Sequence, residues 1–507
     1  MAKLASLAKD TAIYGLSSII GRFLNYLLVP LYTSRMLAQS GDYGIVTNIY
    51  SYVALLLVIL TFGMETTFFR FVNKTEENPQ TVYHTTLTAV GGVGLLFVTL
   101  VLVFLNPIAS VMGHSSHPQF VGVMAVVVAM DAFQCIPFAY LRYKRKPLKF
   151  AELKLLFIGL NIGLNLVYFL VIPQLYNGPD SFVAPLLKPD GGLDVGYVFY
   201  INLICTGLVN IFFYKELKGW FFQLDYTLLR NMLKYAWPIL VLGIAGILNQ
   251  TVDKILYPII RPGHEGSVEL GIYGAAVKIA MIMALITQAF RYAYEPFVFG
   301  NAKEKGSKEM YAKAMKFFLV FTLLAFLVVM GYIDVLKFVV GRTYWEGLRV
   351  IPIVMVAEIM MGVYFNLSFW YKLIDKTIWG AVFSGIGCAV LVLVNILFIP
   401  TYHYMACAWA GVAGYGTAML LSYFVGQHYY PIRYPLRDIF VYVGMTALFF
   451  ALMQFVPQDW NLWLRLSINS VLILAFVAHI LYHDLPLRAL PVVGKYFRKP
   501  QVDDTTR

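Results

Sequence analysis

Charged side chains interrupt several long apolar runs of this 507-residue sequence. In the stretch TFGMETTFFRF, a glutamate (Glu65) and an arginine (Arg70) follow residues 43–64, which carry no charge. The other charged or polar candidates are Arg22, Asn48, Asp131, Asp253, Lys254, Lys278, Arg291, Glu295 and Glu358. Cations in apolar surroundings bind anionic groups, whereas carboxylates there hold a proton, bind a cation or pair with a base.

The composition explains why these charges are unusual. Apolar residues make up 60% of the chain and charged residues only 13%, whereas a soluble protein carries about 25% charged residues. Runs such as YSYVALLLVILTFGM and FFLVFTLLAFLVVMGY approach the roughly 20 apolar residues with which a helix crosses a bilayer. The sequence therefore predicts an all-α polytopic membrane protein.

Fourteen transmembrane spans fit the apolar runs. They are predicted near 11–33, 43–66, 84–105, 119–141, 150–173, 196–214, 231–252, 270–293, 313–333, 348–371, 378–399, 404–426, 437–456 and 461–482. With the N-terminus inside, 28 of the 39 lysines and arginines fall on the inner side and eight on the outer side. The positive-inside rule therefore predicts that both termini are cytoplasmic. Inner and outer below denote these predicted sides.

An internal repeat relates two parts of the chain. The segment GDYGIVTNIY (41–50) resembles GIYGAAVKIA (271–280), and the displacement between them also takes Glu65 to Glu295 and Lys146 to Lys376. The segments NLVYFLVIPQLY and LVNILFIPTYHY match at nearly the same displacement. Because the displacement spans six helices, both copies enter from the same side, as in parallel-repeat transporters. We predict two six-helix lobes around a central cleft.

The predicted domains follow from this repeat. Residues 1–229 form an N-lobe with spans 1–6, residues 230–430 a C-lobe with spans 7–12, and residues 431–482 two additional spans. Residues 483–507 form a basic cytoplasmic tail that anionic membrane lipid attracts. No loop is long enough to be a separate domain, so the sequence places the function within or across the membrane.

Five segments carry a resemblance to a known family. They are NYLLVPLYTSRMLAQSGDYG, FGMETTFFRF, NQTVDKILYPI, GIYGAAVKIA and FIPTYHYMACAWAGVAGY. With the fourteen spans, they resemble polysaccharide flippases of the multidrug/oligosaccharidyl-lipid/polysaccharide exporter superfamily (Wzx-type O-antigen and capsule flippases). The resemblance implies transport of an undecaprenyl-pyrophosphate-linked oligosaccharide from the inner to the outer leaflet of the bacterial inner membrane, for synthesis of O-antigen, capsule or exopolysaccharide. We expect a monomer that works beside polysaccharide polymerase and chain-length machinery.

Arg22, Lys278 and Asn48 are the predicted substrate contacts. A charge in the middle of the bilayer costs roughly 2.5–3.5 kcal/mol on insertion scales. If both lobes turn these residues to the cleft, Arg22 suits a forked contact with a pyrophosphate or acidic sugar, and Lys278 a point-charge contact. Lipid II flippases of the superfamily use basic residues in spans 1, 2 and 8, whereas span 2 here offers Asn48. Alternatively, these cations only pair with carboxylates to join helices.

Asp131 and Glu358 are the predicted ion-coupling residues. They lie near mid-depth of spans 4 and 10, where burial favours a protonated or cation-bound carboxyl group. The alternative is a hydrogen-bonded carboxyl group that joins two helices. We expect no cofactor apart from a coupled proton or sodium ion.

Two further groups of charges lie at helix ends. Glu65, Arg70, Arg291 and Glu295 are predicted to form ion pairs of an inner gate, with interface anchoring as the alternative. Asp253 and Lys254 lie at the outer end of span 7, and they are predicted to anchor that end or to form an outer gate.

The sequence offers little support for other functions. It contains no G-x-x-x-x-G-K-[ST] motif for ATP hydrolysis. Two histidine pairs lack a third ligand, so no metal site is expected. The net charge of +12 is typical of basic cytoplasmic loops rather than of nucleic-acid binding. The alternatives are a drug/cation antiporter of the same superfamily, which usually has twelve spans, and a polysaccharide polymerase or ligase. Since an enzyme of the latter kind needs catalytic Arg or His in a long outer loop, which 174–194 lacks, we expect no enzymatic activity.

Overall fold

The computed structural model describes residues 26, 28–74, 77–220, 223–300, 306–457 and 459–484. Those residues form helices and connecting turns, with no strand among them. In chain order, helices α1 to α19 are Leu28–Arg35, Asp42–Thr61, Met64–Lys74, Pro79–Val103, Leu105–Val111, Pro118–Tyr143, Pro147–Leu166, Gly196–Ile211, Tyr214–Leu217, Tyr226–Ile260, His264–Gly300, Ser307–Gly331, Ile333–Leu336, Ile351–Leu367, Phe369–Leu373, Ile378–Tyr402, Tyr404–Tyr429, Leu436–Phe455 and Leu462–His483. Shorter helical segments are Ala38–Ser40, Val167–Val171, Ile172–Gln174, Ala184–Leu186, Lys337–Val339 and Arg342–Val350.

The helix lengths confirm the predicted fold class. Twelve helices of the described chain are long and apolar enough to cross a membrane, and Gly196–Ile211 is a shorter apolar helix. Each predicted span from the second to the fourteenth overlaps one of these helices. The greater part of the predicted first span, including Arg22, lies outside the described residues, as does the tail 485–507.

Local sequence sets several helix ends. Asn78 Oδ1 accepts a hydrogen bond from Gln80 N at 2.9 Å, ahead of α4. Asp225 Oδ1 accepts from Leu228 N at 2.9 Å, and α10 follows. A side-chain oxygen at this position satisfies a backbone N–H that has no partner inside the helix. These helices therefore begin where a capping residue precedes the apolar run.

The second predicted span is not one continuous helix, although its apolar sequence gives no sign of an interruption. Phe62 and Gly63 adopt positive φ angles of 49° and 65°, which end α2 and start α3. The left-handed conformation is easy for glycine but costs roughly 1–2 kcal/mol for Phe62. A Cβ at Gly63 would lie 2.9 Å from Ile239 Cγ2, so the close approach of α10 also requires glycine. Glu65 thus lies in the first turn of a new helix, where a negative charge is favourable.

The two sequence repeats contain the same backbone turn at equivalent positions. Arg145 and Asp375, which the repeat displacement relates, have positive φ angles of 51° and 56°. Beside them, Lys146 N donates to Leu141 O at 2.9 Å, and Lys376 N donates to Tyr371 O at 2.8 Å. The two hydrogen bonds join residues at the same displacement, so both repeats form the same turn after their fourth span.

The chain divides into two compact units. Unit 1 comprises Met1–Ile279, Val339–Val354 and Thr377–Ala418, and unit 2 comprises Ala280–Phe338, Met355–Lys376 and Met419–Arg507. The lobe boundaries at 229/230, 430/431 and 482/483 follow the sequence repeat and stay a prediction. In unit 1, a hydrophobic cluster around Phe68, Tyr83 and Ile136 holds α3, α4 and α6 together.

Polar contacts hold the two additional helices, α18 and α19, to α12 within unit 2. Lys316, in the first half of α12, forms two ion pairs. One is with Asp438 at the start of α18, and the other is with Asp484 directly after the end of α19. Beyond the end of α12, Asp334 forms an ion pair with Arg465 of α19. Asn469 Nδ2 also donates to Gly331 O at 2.8 Å. Polar contacts therefore hold α19 at both of these positions along α12, and they hold the start of α18 to Lys316.

Candidate functional site

Lys278 is a cation in the middle of an apolar helix, and it has no ion-pair partner among the residues that the structure describes. It lies on α11, is half-buried, and has neither an ion pair nor a hydrogen bond to any residue that the structure describes. The charge that affects it electrostatically is another cation, Lys254. An ammonium in a membrane span normally pairs with a carboxylate or with backbone carbonyls. Lys278 is therefore available to an anionic ligand.

Lys254, in contrast, is fully engaged at the outer end of α10. Its Nζ lies 3.0 Å from Asp253 Oδ1 and donates to Gln250 O at 3.0 Å. Asp253 is buried and also accepts a hydrogen bond from Tyr273 Oη at 2.7 Å. Tyr273 belongs to α11, so this carboxylate joins α10 to α11. The predicted roles of Asp253 and Lys254 as anchor or outer gate stay predictions.

Asn48 takes part in a contact between the two sequence repeats within unit 1. Its Nδ2 donates to Lys254 O at 2.8 Å, and its Oδ1 lies 2.8 Å from His114 Nε2. The side chain is completely buried. In this structure the amide therefore joins α2, α10 and the loop after α5. Its predicted role in substrate binding stays a prediction.

Small residues bring the two repeats together around Asn48. A Cβ at Gly44 of α2 would lie 1.8 Å from Ser267 O of α11. A Cβ at Gly274 would lie 2.5 Å from Thr47 Oγ1. Farther out, Gly341 N donates to Thr33 Oγ1 at 3.0 Å. We call this contact the outer seam, defined by Thr33, Gly44, Thr47, Asn48 and His114 of the first repeat and by Lys254, Ser267, Gly271, Gly274 and Gly341 of the second.

The outer seam is expected to weaken in acid. Burial, with a smaller effect of His117, lowers the pKa of His114 to about 4. Because the unfolded histidine titrates near pH 6.5, this group stabilises the fold fully above that pH and loses its contribution as the pH falls toward 4. At pH 5 we expect a loss on the order of 2 kcal/mol. Thermal unfolding at pH 7 and pH 5 would show a smaller drop for His114→Gln than for the native protein. His117→Gln is the control, since His117 is exposed on the same loop; an equal drop in all three proteins would contradict the assignment.

The two repeats carry equivalent ion pairs at their predicted inner ends. In unit 1, Glu65 pairs with Arg142 of α6. In unit 2, Glu295 Oε1 lies 3.3 Å from Lys372 Nζ. Each base follows its glutamate by 77 residues, and the displacement of the sequence repeat takes the first pair to the second. Each glutamate is thus bonded inside its own repeat.

Arg70 and Arg291, the other two residues of the predicted inner gate, have different contacts. The Arg70 guanidinium lies 4.0 Å from the centroid of the Tyr235 ring, so Arg70 is not the partner of Glu65 here. Arg291 does contact Glu295, with Nε 3.6 Å from Oε2. The repeat displacement also relates Arg142 to Lys372, which is the signal that could have revealed the pair in the sequence. The gate itself stays a prediction.

Charge reversal would identify the partner of Glu65. We expect Glu65→Lys to destabilise the protein by roughly 1 kcal/mol, because both side chains are partly exposed. Adding Arg142→Glu should restore the melting temperature, whereas adding Arg70→Glu should not. Rescue by Arg70→Glu alone would show that the ion pair with Arg142 does not form in the membrane.

Asp131 lies in a chain of polar side chains within unit 1. Its Oδ1 accepts hydrogen bonds from Gln134 Nε2 at 2.6 Å and from Thr206 Oγ1 at 3.4 Å. The chain continues through Asn202, whose Nδ2 donates to Tyr50 Oη at 2.7 Å. Gln134 Oε1 is buried without a hydrogen-bond partner in the described chain. This arrangement joins α2, α6 and α8 by polar groups inside apolar helices.

Lys154 is a functional candidate that the sequence did not reveal. It interacts electrostatically with Asp131 and Glu65, and its Nζ lies 4.0 Å from the centroid of the Phe138 ring. In the sequence, Lys154 ends a run of inner-side cations that begins at Arg142, and it also falls within the fifth predicted span, 150–173. Because α7 begins at Pro147, Lys154 lies about two turns inside the helix. The proline at the helix start was the available signal.

Glu358, the second predicted coupling residue, is half-buried on α14 in unit 2. Arg22 lies outside the described residues, and its predicted contact with the substrate stays a prediction. No group of three or more His, Cys, Asp or Glu with the geometry of a metal site occurs among the residues that were placed.

The fold matches known exporters. It is similar to a structure described as the lipid II flippase MurJ in an inward closed conformation, with a TM-score of 0.69 and 13% identity over 92% of this chain and 98% of that chain. It is also similar to an inward-facing multidrug resistance MATE family transporter of the MOP superfamily, with a TM-score of 0.58 and 13% identity over 80% and 93% of the two chains. The fold is therefore that of flippase-type and multidrug exporters.

The sequence identifies the family more closely. The family model described as polysaccharide biosynthesis protein matches residues 7–293, more than half of the chain. The chain belongs to the polysaccharide biosynthesis protein family, and it is a multi-pass membrane protein with the fold of flippase-type exporters. No curated protein matches the sequence.

Proposed function

We propose that this protein is a flippase that moves undecaprenyl-pyrophosphate-linked oligosaccharides from the inner to the outer leaflet of the bacterial inner membrane. Family membership supports a role in polysaccharide synthesis, and the fold supports transport by alternating access rather than an enzymatic reaction. The substrate would deliver units for O-antigen, capsule or exopolysaccharide. Both termini would be cytoplasmic, and the monomer would act beside a polymerase and its chain-length machinery.

The observation that carries the proposal is Lys278, which has no partner in the described part of the chain. A lysine without a carboxylate or carbonyl partner in the described part of a membrane span gains nothing structurally from its charge. An anionic head group that enters the span supplies the missing partner. A lipid-linked pyrophosphate combines this charge with an isoprenoid tail that stays in the bilayer.

The outer seam supports alternating access. In unit 1 the two repeats meet there through backbone and small side chains, without an ion pair between the repeats among the described residues. A contact made of glycines and neutral hydrogen bonds separates without leaving an unpaired charge behind. The seam is therefore suited to close and reopen during each transport cycle.

A reconstituted assay tests the proposed function. Proteoliposomes would contain a fluorescent undecaprenyl-pyrophosphate oligosaccharide in both leaflets, and an added membrane-impermeant quencher would report exchange between leaflets. We expect exchange that depends on the protein. The absence of exchange above that in protein-free liposomes, with the protein correctly inserted, would overturn the proposal.

The MATE-like fold supports the alternative function, that of a drug/cation antiporter. Efflux of a lipophilic cation such as ethidium from the same proteoliposomes distinguishes the two functions. Ethidium efflux without glycan exchange would favour the antiporter. Glycan exchange without ethidium efflux is the result that we expect.

Ion coupling through Asp131 is part of the proposal. An inward proton or sodium gradient should accelerate exchange, because Asp131 is the carboxylate that several polar groups surround within the apolar helices of unit 1. Asp131→Asn should reduce the response to the gradient roughly tenfold. The control Asp190→Asn, in an outer loop, should not alter it. An identical gradient response of the native protein and Asp131→Asn would exclude coupling through Asp131. The same comparison between the native protein and Glu358→Gln tests Glu358, the second candidate.

A further inference from the structure

Asp131 uses only one of its two carboxylate oxygens in the described chain. Gln134 Nε2 and Thr206 Oγ1 both donate to Oδ1, at 2.6 Å and 3.4 Å. Oδ2 accepts no hydrogen bond from a residue that the structure describes. Asp131 is half-buried near the middle of α6, which runs from Pro118 to Tyr143. A carboxylate at this depth is costly unless it gains a proton or a cation.

Lys154 of α7 brings a cation toward this carboxylate. It interacts electrostatically with Asp131 and with Glu65, but it forms no ion pair or hydrogen bond with a described residue. Its Nζ lies 4.0 Å from the centroid of the Phe138 ring. Glu65, in turn, is already paired with Arg142. The ammonium is therefore attracted by two carboxylates and bonded to neither, and its flexible side chain allows it to move between them.

The other titratable groups near these two residues do not supply a cation to Asp131. Those that interact electrostatically with Asp131 or Lys154 are Tyr50 of α2, Glu65 of α3, and Cys135 and Arg142 of α6. A phenol and a thiol are ordinarily neutral at pH 7. The two charged groups, Glu65 and Arg142, are bonded to each other. Within the described chain, Lys154 is therefore the cation that acts on Asp131.

The second repeat lacks both Asp131 and Lys154. The displacement of the sequence repeat takes Asp131 to Met361. Helix α16, which corresponds to α7, contains no charged residue. The ion pair at the predicted inner end is nevertheless present in both repeats. The shared architecture thus keeps the inner ion pair but does not require a carboxylate and a lysine in the middle of the lobe, so this pair points to a function of the first repeat.

Gln134 can bond to either protonation state of Asp131. Its Nε2 donates to the carboxylate, whereas its Oε1 is buried without a hydrogen-bond partner in the described chain. Rotation of the amide exchanges the two atoms, and Oε1 then accepts a hydrogen bond from a protonated carboxyl group. The surroundings of Asp131 therefore suit a carboxyl group that gains and loses a proton.

We propose that Lys154 is the built-in counter-cation of Asp131 and that it makes the coupled ion a proton rather than sodium. When Asp131 is ionised, the ammonium moves from the Phe138 ring to the carboxylate. A proton from the outer solution then bonds to Oδ2 and neutralises the carboxylate, and Lys154 turns toward Glu65. Loss of that proton to the inner solution restores the carboxylate and brings the ammonium back.

The same arrangement disfavours sodium. A metal cation of this kind binds through several oxygen ligands, and beside Asp131 it would meet the repulsion of the ammonium. A proton needs one carboxylate oxygen. The inference rests on the proposed function in taking Asp131 to be the coupling residue, and it adds Lys154 as the positioning residue that selects the ion.

Infrared spectroscopy of the full chain in nanodiscs tests the pair without transport. A pH titration in sodium-free buffer should show the band of a protonated carboxyl group that Asp131→Asn lacks. In Lys154→Met this band should persist to a pH about one unit higher, because a neighbouring cation no longer favours the ionised form. Lys154→Arg, which keeps the charge, should titrate like the native protein. Lys146→Met is the matched control, since Lys146 is an exposed lysine of the same basic run.

Sodium added to the same titrations tests the selection of the ion. We expect no shift of the band in the native protein, whereas in Lys154→Met sodium should compete with the proton and move the loss of the band to lower pH. A sodium-dependent shift in the native protein would overturn the proposal. So would identical titrations of the native protein and Lys154→Met, which would show that the ammonium does not act on Asp131.

Transport separates this proposal from the proposed function. In the quencher assay, a proton gradient should accelerate exchange by the native protein and a sodium gradient at equal pH should not. Lys154→Met should lose the proton response roughly tenfold, and Lys154→Arg and Lys146→Met should keep it. Acceleration of the native protein by sodium alone would overturn the role of Lys154 while the flippase assignment stands. Exchange by none of the proteins would overturn the flippase assignment, and the infrared titrations would still decide the pair.

Discussion

Lys278→Gln is expected to slow exchange of the lipid-linked oligosaccharide by about tenfold to a hundredfold, the range for loss of a hydrogen bond to a charged group. The expected effect on stability is small, within about 0.5 kcal/mol, because Lys278 has no partner to lose among the described residues. The quencher assay measures the first quantity and thermal unfolding of the purified protein the second. Lys278→Arg, which keeps the charge, should retain part of the activity.

Lys254→Gln is the matched control for this prediction. It removes the same charge from the neighbouring helix α10, but it leaves the buried Asp253 without its ion pair. Breaking a buried pair costs on the order of 3 kcal/mol, so this variant should lose stability. If Lys278→Gln lost as much stability as Lys254→Gln, Lys278 would be a structural residue. Full transport activity of Lys278→Gln would exclude it as a contact of the pyrophosphate.

A disulfide across the outer seam is expected to stop transport. A Cβ at Gly274 would lie 3.2 Å from Thr47 Cβ, slightly below the roughly 3.5–4.5 Å that a disulfide requires. The pair Thr47→Cys and Gly274→Cys should therefore cross-link after a small shift of α2 or α11. Because alternating access requires the seam to open, oxidation should lower exchange to the level of protein-free liposomes, and a reductant should restore it. Non-reducing mass spectrometry confirms the link.

The single variants control for the four native cysteines, which are free in the structure. Oxidation of Thr47→Cys alone or of Gly274→Cys alone should leave exchange unchanged. Gly274→Cys also places a side chain beside Thr47. The exchange rate of this single variant under reducing conditions is therefore the reference for the double variant. Undiminished exchange by the fully cross-linked protein would show that the outer seam stays closed throughout transport.

The sequence predicted the helices well because their signals are local. Apolar length is a property of one continuous segment, so it can be read without knowing which helices pack together. The repeat was also visible, since Glu65 and Glu295 keep their residue type and their displacement. The break at Phe62 and Gly63 escaped prediction because an apolar run does not report the φ angles within it.

The partners of the charged residues required the tertiary structure. Arg70 is near Glu65 in sequence, but helix packing brings Arg142 to that glutamate and leaves Arg70 over an aromatic ring. The sequence predicts Asn48 as a substrate contact, and the structure adds that the close approach of glycine backbones buries it in the outer seam. Lys154 belongs to a basic run in the sequence, and only the helix packing shows its electrostatic interaction with Asp131.

By itself, the sequence determined a polytopic helical protein, a six-helix repeat and a resemblance to polysaccharide flippases. Only the tertiary structure decided that Lys278 of α11 has no ion pair among the described residues, which glutamate bonds to which base, and how glycines bring the two repeats together at the outer seam of unit 1. The physical reason is the range of each effect. Helix formation and membrane insertion depend on consecutive residues, whereas ion pairing and burial depend on which helix faces lie against each other.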